Sequence, residues 1–573
     1  MVPTAAASSS PTPDPLAAAW ITHLHEPVIR RTDGVLAGLK CAVKDNIDVA
    51  GVPTTAACPA FAYTPTDHAS VVRRLLDAGA CLVGKTNLDQ FACGLNGTRS
   101  PFGAVPNTFD HTRVSGGSSS GSAVVVATGQ VDFALGTDTA GSGRVPAGLN
   151  NIVGFKPSKG LLSTHGVLPA AQSVDCVSIF ARTVGTAARV FQATKGFDAE
   201  DPYSRDLPLR GSMWTQGFRF GVPRELCFFG DSMNAAAFAH SVLLMEALGG
   251  VAVPIDYSPL SEVACLLYDS ALVAERYAAI RTFFDAHESE VVEPVRGILA
   301  RAKQYTAADV FDAQTQLRAL AQRVAPLWEH IDVLVVPTAP TFPTIDAMLA
   351  DPVRLNRELG EYTNFVNLLD HAAIAVPSCL RDDGLPFGVT LIAPAGSDWA
   401  LLDLAQRYHH STGLTQGATG APLPPLQALP LPAAEPMVEV AVVGAHLSGM
   451  PLNSQLTERS AVLLRKTHTA ADYRLFALPG TVPPKPGLLR VAPGQGTAIA
   501  VEVWSMPASQ FGSFVALIPA PLGIGTLNLT DGTTVQGFIC EPWALADARD
   551  ISHLGGWRAY IAEIKASQAL TTP

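Results

Sequence analysis

The sequence predicts an α/β protein followed by a second, smaller β-rich α+β domain. In residues 16–416, apolar strand-like runs alternate with amphipathic helical segments, which is typical of a mixed or mainly parallel sheet flanked by helices. Residues 417–437 are dense in proline and nearly free of charge, which indicates a semi-rigid interdomain linker. Residues 438–573 have a normal domain size. The strands predicted in this last segment are 438–444, 498–504, 514–518 and 535–540.

The elements of the first domain can be predicted in chain order. A helix and a connection are expected within 16–36, followed by a short buried strand that delivers Lys44 into a turn. The run from Val71 has a helical apolar period and is stopped by Gly79, a common residue at a helix C-cap. Residues 259–329 are expected to be mostly helical. The further buried strands predicted here are 81–84, 331–337, 372–377 and 386–392.

Composition and charge exclude several classes of protein. The formal net charge is −11 and no basic run occurs, so the chain lacks the electrostatic footprint of nucleic-acid binding. No run of about 18 apolar residues is present, so no membrane-spanning helix is predicted. Residues 1–15 lack the basic start and apolar core of a signal peptide, and we expect them to be disordered. Nine scattered cysteines without a C-x-x-C favour a reduced, cytoplasmic protein.

Two Gly/Ser loops carry the chemistry of the first domain. They read GGSSSGS at residues 116–122 and GTDTAGS at residues 136–142, with an apolar segment between them. A phosphate-binding loop would need a Lys-Ser/Thr pair after its glycines, and a G-x-S-x-G elbow would need a strand leading into Ser118; neither is present. Paired serines remain, and they need a base. Lys44, in the sequence VKDN, is the candidate.

These three motifs, in this order and at these spacings, resemble the amidase signature family. Lys44 precedes Ser118 by 74 residues, and Ser118 precedes Ser142 by 24 residues. The resemblance implies a mixed β-sheet core flanked by helices, with Lys44 as a neutral base, Ser118 as a proton relay with a cis peptide bond, and Ser142 as the nucleophile. A lysine pKa of about 10.4 would have to fall by about three units, which burial can achieve. The resemblance also implies an oxyanion hole made by the N–H groups of Thr139, Ala140, Gly141 and Ser142.

Other polar residues near the motifs are expected to be structural. Arg144 follows the second loop and should brace it by pairing with a carboxylate such as Asp138. Asp175 should likewise be a structural partner rather than a catalyst.

Three features resemble one branch of the family, the allophanate hydrolases. They are Ala140 where many relatives have Gly, the loop DQFACGLNGTR at 89–99, and the segment LLYDSALVAERYAAI at 266–280. The resemblance implies that Tyr268, Arg276 and Gly94 bind the substrate. Tyr268 and Arg276 are eight residues apart, which on one helix would place them near the same face.

The segment from Val442 to Asn453 resembles the start of the allophanate hydrolase C-terminal domain, which has a γ-glutamylcyclotransferase-like fold. On that resemblance His446 is the catalytic candidate of the second domain, and His468 is the second choice.

The resemblance implies hydrolysis of the terminal amide of allophanate with release of ammonia, followed by decarboxylation of the product N-carboxycarbamate in the second domain. Neither a metal nor an organic cofactor is expected, because no His/Cys/carboxylate cluster has ligand spacing. The expected pathway partner is a biotin-dependent urea carboxylase, and the expected assembly is a cytoplasmic homodimer. Two alternatives stay open. One is another amidase, such as an arylamidase or a tRNA amidotransferase A-type subunit; the other is a non-catalytic scaffold with a C-terminal binding module.

Overall fold

The computed structural model describes residues 16–569, apart from 210, 212, 213, 215, 216, 427 and 432–435. The chain divides into two compact units, Met1–Pro432 and Ala433–Pro573, and the division falls inside the segment predicted as a linker. Before that division, Leu429 and Leu431 pack against the core of the first unit. Residues 1–15, which were predicted to be disordered, lie outside the described residues.

The first unit is built on one mixed sheet. Within the described residues eleven strands pair in the order β1-β3-β2-β4-β6-β5-β10-β11-β9-β7-β8. The strands are β1 Trp20–Val28, β2 Lys40–Lys44, β3 Cys81–Thr86, β4 Phe133–Asp138, β5 Val153–Lys156, β6 Cys176–Ala181, β7 Phe218–Pro223, β8 Gly250–Ile255, β9 Val333–Pro337, β10 His371–Leu380 and β11 Pro386–Pro394.

Helices cover both faces of this sheet. Val43 and Leu135 belong to one hydrophobic cluster, whereas their chain neighbours Ala42 and Ala134 belong to another on the opposite face. The middle residues of these two strands are therefore apolar in succession, as is typical of strands buried on both faces. The helices are α1 Ser70–Asp77, α2 Ser120–Ala127, α3 Val145–Leu149, α4 Val184–Thr194, α5 Ser232–Ala247, α6 Ser258–Asp269, α7 Ala274–His287, α8 Val295–Ala302, α9 Ala307–Val324, α10 Leu327–His330, α11 Ile345–Ala350, α12 Arg354–Leu359, α13 Phe365–Leu368 and α14 Asp398–Ser411.

One prediction in this unit is wrong. Residues 16–36 were expected to start with a helix, but only a short 3-10 turn at Ala17–Ala19 precedes the nine-residue strand β1. This strand pairs antiparallel with β3 at the edge of the sheet, so its backbone finds partners that local sequence does not reveal. The helix ending before Gly79, the strand from Cys81 and the three late strands are confirmed.

The second unit is an α+β domain with two small sheets. Within the described residues, five strands pair as β13-β16-β12-β18-β17 and three pair as β15-β14-β19. The run 514–518 was predicted as a strand, but Phe514 lies near the end of helix α16 and packs into the core, because a short apolar run suits either structure. The elements are β12 Met437–Val442, α15 Ser454–Thr457, β13 Val462–His468, β14 Tyr473–Ala477, β15 Pro486–Arg490, β16 Ala500–Pro507, α16 Ala508–Val515, β17 Leu522–Asn528, β18 Thr534–Cys540, β19 Arg549–Asp550 and α17 Trp557–Ala569.

Among the helices that the structure describes, none combines the length and apolar character needed to cross a membrane.

Candidate active site

Lys44 lies at the carboxyl end of β2 and is completely buried. Strand β4 runs parallel to β2 and beside it, so the polar residues that end the two strands meet at the same edge of the sheet. There Lys44 Nζ donates hydrogen bonds to Ser118 Oγ and to Thr137 Oγ1, each at 2.7 Å. Burial lowers the pKa of Lys44 to about 7, although the carboxylates of Asp89 and Asp175 act to raise it. About half of the lysine is therefore neutral near pH 7.

Ser118 lies just before helix α2, after a cis peptide bond between Gly117 and Ser118. Its carbonyl oxygen accepts a hydrogen bond from the backbone N–H of Asp89 at 3.1 Å. The buried carboxylate of Asp89 accepts in turn from the backbone N–H groups of Asn96, Gly97 and Arg99. One carboxylate thus ties the loop 89–99 together and holds it against Ser118.

Ser142 lies in the turn between β4 and α3 and is 2% exposed. Its Oγ donates to the carbonyl oxygen of Gly94 at 3.4 Å, so the structure places Gly94 beside the second serine. A Cβ atom on Gly94 would lie 2.4 Å from Asp89 Oδ2, which leaves room only for glycine. Gly141 has a φ of +136°, and a Cβ there would lie 2.4 Å from Thr363 Oγ1. These close approaches fix the backbone on both sides of Ser142.

The loop before Ser142 is organised by a buried ion pair. Arg144 Nε donates to Asp138 Oδ2 at 2.9 Å, with both side chains fully buried, which confirms the predicted bracing role of Arg144. Burial alone would raise the pKa of Asp138, but the Arg144 guanidinium holds this pKa below its usual value.

The Asp138 carboxylate also occupies one of the N–H groups that were predicted to form the oxyanion hole. The N–H of Gly141 donates to Asp138 Oδ1 at 2.9 Å and is therefore not free for a ligand. Within the described part of the chain, the N–H groups of Thr139, Ala140 and Ser142 have no protein acceptor. These three remain as donors for an oxyanion.

Asp175 positions this loop from the side, as the structural partner that was expected. Its carboxylate accepts from Thr139 Oγ1 at 2.5 Å and from the backbone N–H groups of Ala170 and Ala171. Burial raises the pKa of Asp175 to about 6, although these hydrogen bonds oppose the rise.

Tyr268 and Arg276 contact each other, but they do not share a helix as predicted. Tyr268 lies one residue before the end of helix α6, the chain turns through an extended Ser270, and Arg276 lies in the first turn of α7. The two side chains therefore meet because the chain breaks between two helices, and not because they lie on one helical face. Arg276 Nη2 donates to Tyr268 Oη at 3.1 Å, and its guanidinium carbon lies 5.0 Å from the centre of the Tyr268 ring.

Arg276 has unused hydrogen-bonding capacity in a buried place. It is 4% exposed, and its Nε and Nη1 atoms are buried without a hydrogen-bond partner among the described residues. Tyr268 packs against the hydrophobic cluster that includes Ala140 of the second Gly/Ser loop. These two nitrogen atoms thus belong to a side chain held close to that loop, and a buried guanidinium in this state suits an anionic ligand.

His446 lies in the second unit, after strand β12. Its Nε2 is hydrogen-bonded to Gln455 Oε1 at 2.9 Å, and its ring stacks on Phe538 with centroids 5.0 Å apart. Burial lowers the pKa of His446. The second candidate, His468, is exposed at the end of β13 and lines a different cavity with Glu502 and Arg558.

Sequence reasoning missed two residues of the first site. Thr137 accepts from Lys44, and Asp89 orders the loop beside Ser118. The signal for Thr137 was its place in GTDTAGS at the end of a strand next to that of Lys44. Asp89 carried no local signal, because its partners are backbone groups up to ten residues away. Among the described residues, no group of three or more His, Cys, Asp or Glu side chains is placed to hold a metal ion.

Comparison with known proteins agrees with both units. The Amidase family matches residues 7–402, and the allophanate hydrolase C-terminal domain matches residues 438–562. Urea amidolyase of Saccharomyces cerevisiae is 46% identical over 551 residues, covering 93% of this chain and 30% of the yeast protein. The chain therefore spans about a third of the length of the curated relatives it matches first.

Two further relatives are matched over most of their own length. A structure of Kluyveromyces lactis allophanate hydrolase is 43% identical with a TM-score of 0.72, covering 97% of this chain and 94% of that one. The A subunit of glutamyl-tRNA(Gln) amidotransferase from Symbiobacterium thermophilum is 36% identical over 445 residues, covering 70% of this chain and 90% of that protein.

The layered mixed sheet and the buried polar site at its edge are those of an α/β amidohydrolase. Both units find a counterpart in the Kluyveromyces lactis enzyme over nearly its whole length. The chain belongs to the amidase family and, within it, to the allophanate hydrolases.

Proposed function

We propose that this chain hydrolyses the terminal amide of allophanate, a small, planar anion. The observation that carries the substrate assignment is Arg276, a buried guanidinium beside Tyr268 whose Nε and Nη1 atoms have no partner among the described residues. A guanidinium presents parallel donors that match a carboxylate, and such a pair is stronger in a buried site. The similar enzymes named allophanate hydrolase and urea amidolyase support the same choice.

Catalysis starts with Lys44 in its neutral form. The neutral amine donates to Thr137 and accepts the proton of Ser118, which is 2.7 Å away. Ser118 accepts the proton of Ser142 as the Ser142 oxygen attacks the amide carbonyl. The N–H groups of Thr139, Ala140 and Ser142 stabilise the negative charge that develops on the carbonyl oxygen.

The tetrahedral intermediate then breaks down. The departing nitrogen takes a proton from Lys44 through Ser118 and leaves as ammonia. This leaves an acyl group on Ser142 Oγ. Water, deprotonated by the same lysine, cleaves the acyl group and gives N-carboxycarbamate. Asp175 contributes by fixing Thr139, and Asp138 by fixing Gly141 and Arg144. These carboxylates are positioning residues because they touch the loop and not the reacting atoms.

The second unit, in this proposal, decarboxylates N-carboxycarbamate. Its site is the cavity that contains His446, whose ring is fixed by Gln455 and Phe538. Cleavage of one C–N bond leaves the electron pair on nitrogen, which takes one proton, and the products are carbamate and carbon dioxide. The proposal further includes a biotin-dependent urea carboxylase, as a separate protein or in the same polypeptide, as the source of allophanate. It also includes a cytoplasmic homodimer.

Ammonia release from a matched set of amides tests the proposal. Malonamate keeps the carboxylate of allophanate with CH₂ in place of NH, and malonamide replaces that carboxylate by a neutral amide. We expect kcat/KM to be highest for allophanate and at least about tenfold higher for malonamate than for malonamide, because only the anions use Arg276. Equal values for malonamate and malonamide, or faster turnover of a neutral aryl amide, would contradict the assignment.

A further inference from the structure

The second unit contains a cavity of about 200 Å³ next to His446. Since a water molecule occupies about 30 Å³ of liquid, the cavity has room for a compact molecule of several heavy atoms. Its wall is mainly aliphatic, with Phe538 on the side of the His446 ring. The polar side chains in the wall are those of His446, Gln455 and Lys485. No Asp or Glu is among the described residues that line it.

Lys485 brings an unmatched positive charge to this cavity. Its side chain is half-buried, and its ammonium forms no ion pair or hydrogen bond with any other described residue. Arginines of the same unit are paired: Arg465 with Glu439, Arg474 with Asp550 and Arg558 with Glu502. A cation at the wall of an apolar cavity that has no carboxylate favours an anionic ligand there.

The histidine beside Lys485 is held in one orientation. Gln455 bonds its Nε2, Phe538 stacks on its ring, and Phe514 meets the ring edge-on with centroids 5.4 Å apart. Lys485 is close enough that its charge, in addition to burial, lowers the pKa of His446. An anion placed beside Lys485 would offset the charge of this lysine.

We propose that this cavity binds a small carboxylate and that Lys485 is the residue that holds the carboxylate next to His446. This inference rests on the proposed function in one respect, because the proposed function identifies the ligand as the dicarboxylate product of the first unit. Lys485 binds the carboxylate that is retained, so that the other carboxylate lies toward the apolar wall. A carboxylate in apolar surroundings is destabilised, which favours its loss as neutral carbon dioxide.

Binding of malonate tests the proposal without turnover, because malonate is the CH₂ counterpart of N-carboxycarbamate. The parent protein for this test is the full chain with two substitutions, Ser142→Ala and Arg276→Met. They remove hydrolysis and the proposed carboxylate-binding arginine of the first unit. Calorimetric titration of this parent should show one malonate site, and adding Lys485→Met should weaken the affinity at least tenfold. Lys485→Arg should retain most of the affinity. Malonamide, which is neutral, should bind weakly and equally to all variants.

Lys466 provides the matched control. It is an exposed lysine of the same unit that lines the other cavity, next to His468. Lys466→Met should leave malonate affinity unchanged. The proposal is overturned if Lys485→Met, folded by circular dichroism, binds malonate like the parent, or if the parent binds none at tens of millimolar. Because the parent cannot hydrolyse allophanate, failure of the proposed hydrolysis would leave this readout unaffected.

Discussion

Two lysines at the ends of neighbouring parallel strands allow the proposed catalytic base to be compared with a lysine that is held in an ion pair. Lys44 ends β2 and Lys85 lies one residue before the end of β3, and both are completely buried. Lys85 Nζ lies 3.1 Å from Asp45 Oδ1 and also donates to the carbonyl of Pro53 and the hydroxyl of Thr54. Among the described residues, in contrast, Lys44 Nζ hydrogen-bonds to two hydroxyl groups and to no carboxylate.

The difference teaches that burial alone does not make a catalytic lysine. Burial lowers the pKa of both side chains, but for Lys85 the adjacent Asp45 carboxylate acts against that shift. For Lys44 the carboxylates are more distant, and its pKa falls to about 7. The lysine proposed as the base thus contacts neutral hydroxyls, whereas Lys85 lies beside a carboxylate that favours its charged form.

The largest expected effect tests whether Ser142 is the nucleophile. Ser142→Ala should lower kcat for allophanate by at least about 10⁴-fold, because the acyl-enzyme can no longer form. Ammonia release is the assay, and an unchanged unfolding midpoint shows that the variant is folded. Substantial turnover in a folded, pure variant would show that Ser142 is not the nucleophile.

The next effect compares the two lysines directly. Lys44→Met should reduce kcat by about 10²–10⁴-fold, the range for loss of a general base. Lys44→Arg should not restore activity, since arginine stays protonated. Lys85→Met should instead lower the free energy of unfolding by about 3–5 kcal/mol, because Asp45 is left buried and unpaired, while the folded fraction keeps its turnover.

A double variant is the control for this comparison. Adding Asp45→Asn to Lys85→Met removes the stranded carboxylate and should recover part of the lost stability in a urea titration. If Lys85→Met abolished turnover of the folded protein as completely as Lys44→Met, the division of roles between the two lysines would be wrong.

A smaller effect is expected at Arg276. Arg276→Ala should lower kcat/KM for malonamate by about tenfold or more, since a charge-assisted hydrogen bond contributes about 1.5–3 kcal/mol. Malonamide turnover should fall much less. Besides burial, the Arg276 charge also lowers the pKa of Lys44, so both rates must be compared on the plateau above pH 8. Equal losses for the two substrates would make Arg276 a structural residue.

The smallest effect concerns the pKa of Lys44 and its hydrogen bond to Thr137. Because the base must be neutral, kcat/KM should rise about tenfold per pH unit below pH 7 and level off above the Lys44 pKa of about 7. Thr137→Val removes a hydrogen-bond acceptor that favours the ammonium form, so the pKa should fall. The profile should move to lower pH by roughly 0.4–1 unit, the equivalent of about 0.5–1.5 kcal/mol. A shift to higher pH would contradict the proposed contact.

Much of the fold could be predicted because its strands are buried on both faces and leave continuous apolar runs, as at 333–337 and 386–394. Elements whose partners are distant in sequence were predicted less well. Strand β1 forms because it pairs with β3. The apolar run at 514–518 suits either a strand or a helix, and the packing of Phe514 into the core favours the end of a helix. The break at Ser270 also went undetected, since the apolar pattern continues across it.

The sequence by itself determined the candidates for the proposed chemistry: two Gly/Ser loops and one lysine after an apolar strand point to Lys44, Ser118 and Ser142. Only the tertiary structure decided what those residues can do. It placed Thr137 rather than a carboxylate beside Lys44 and committed the Gly141 N–H to Asp138. Among the described residues, it left Arg276 and Lys485 without an ion-pair partner. The physical reason is that pKa values and hydrogen-bonding capacity depend on burial and on neighbours from distant parts of the chain, which local sequence patterns do not encode.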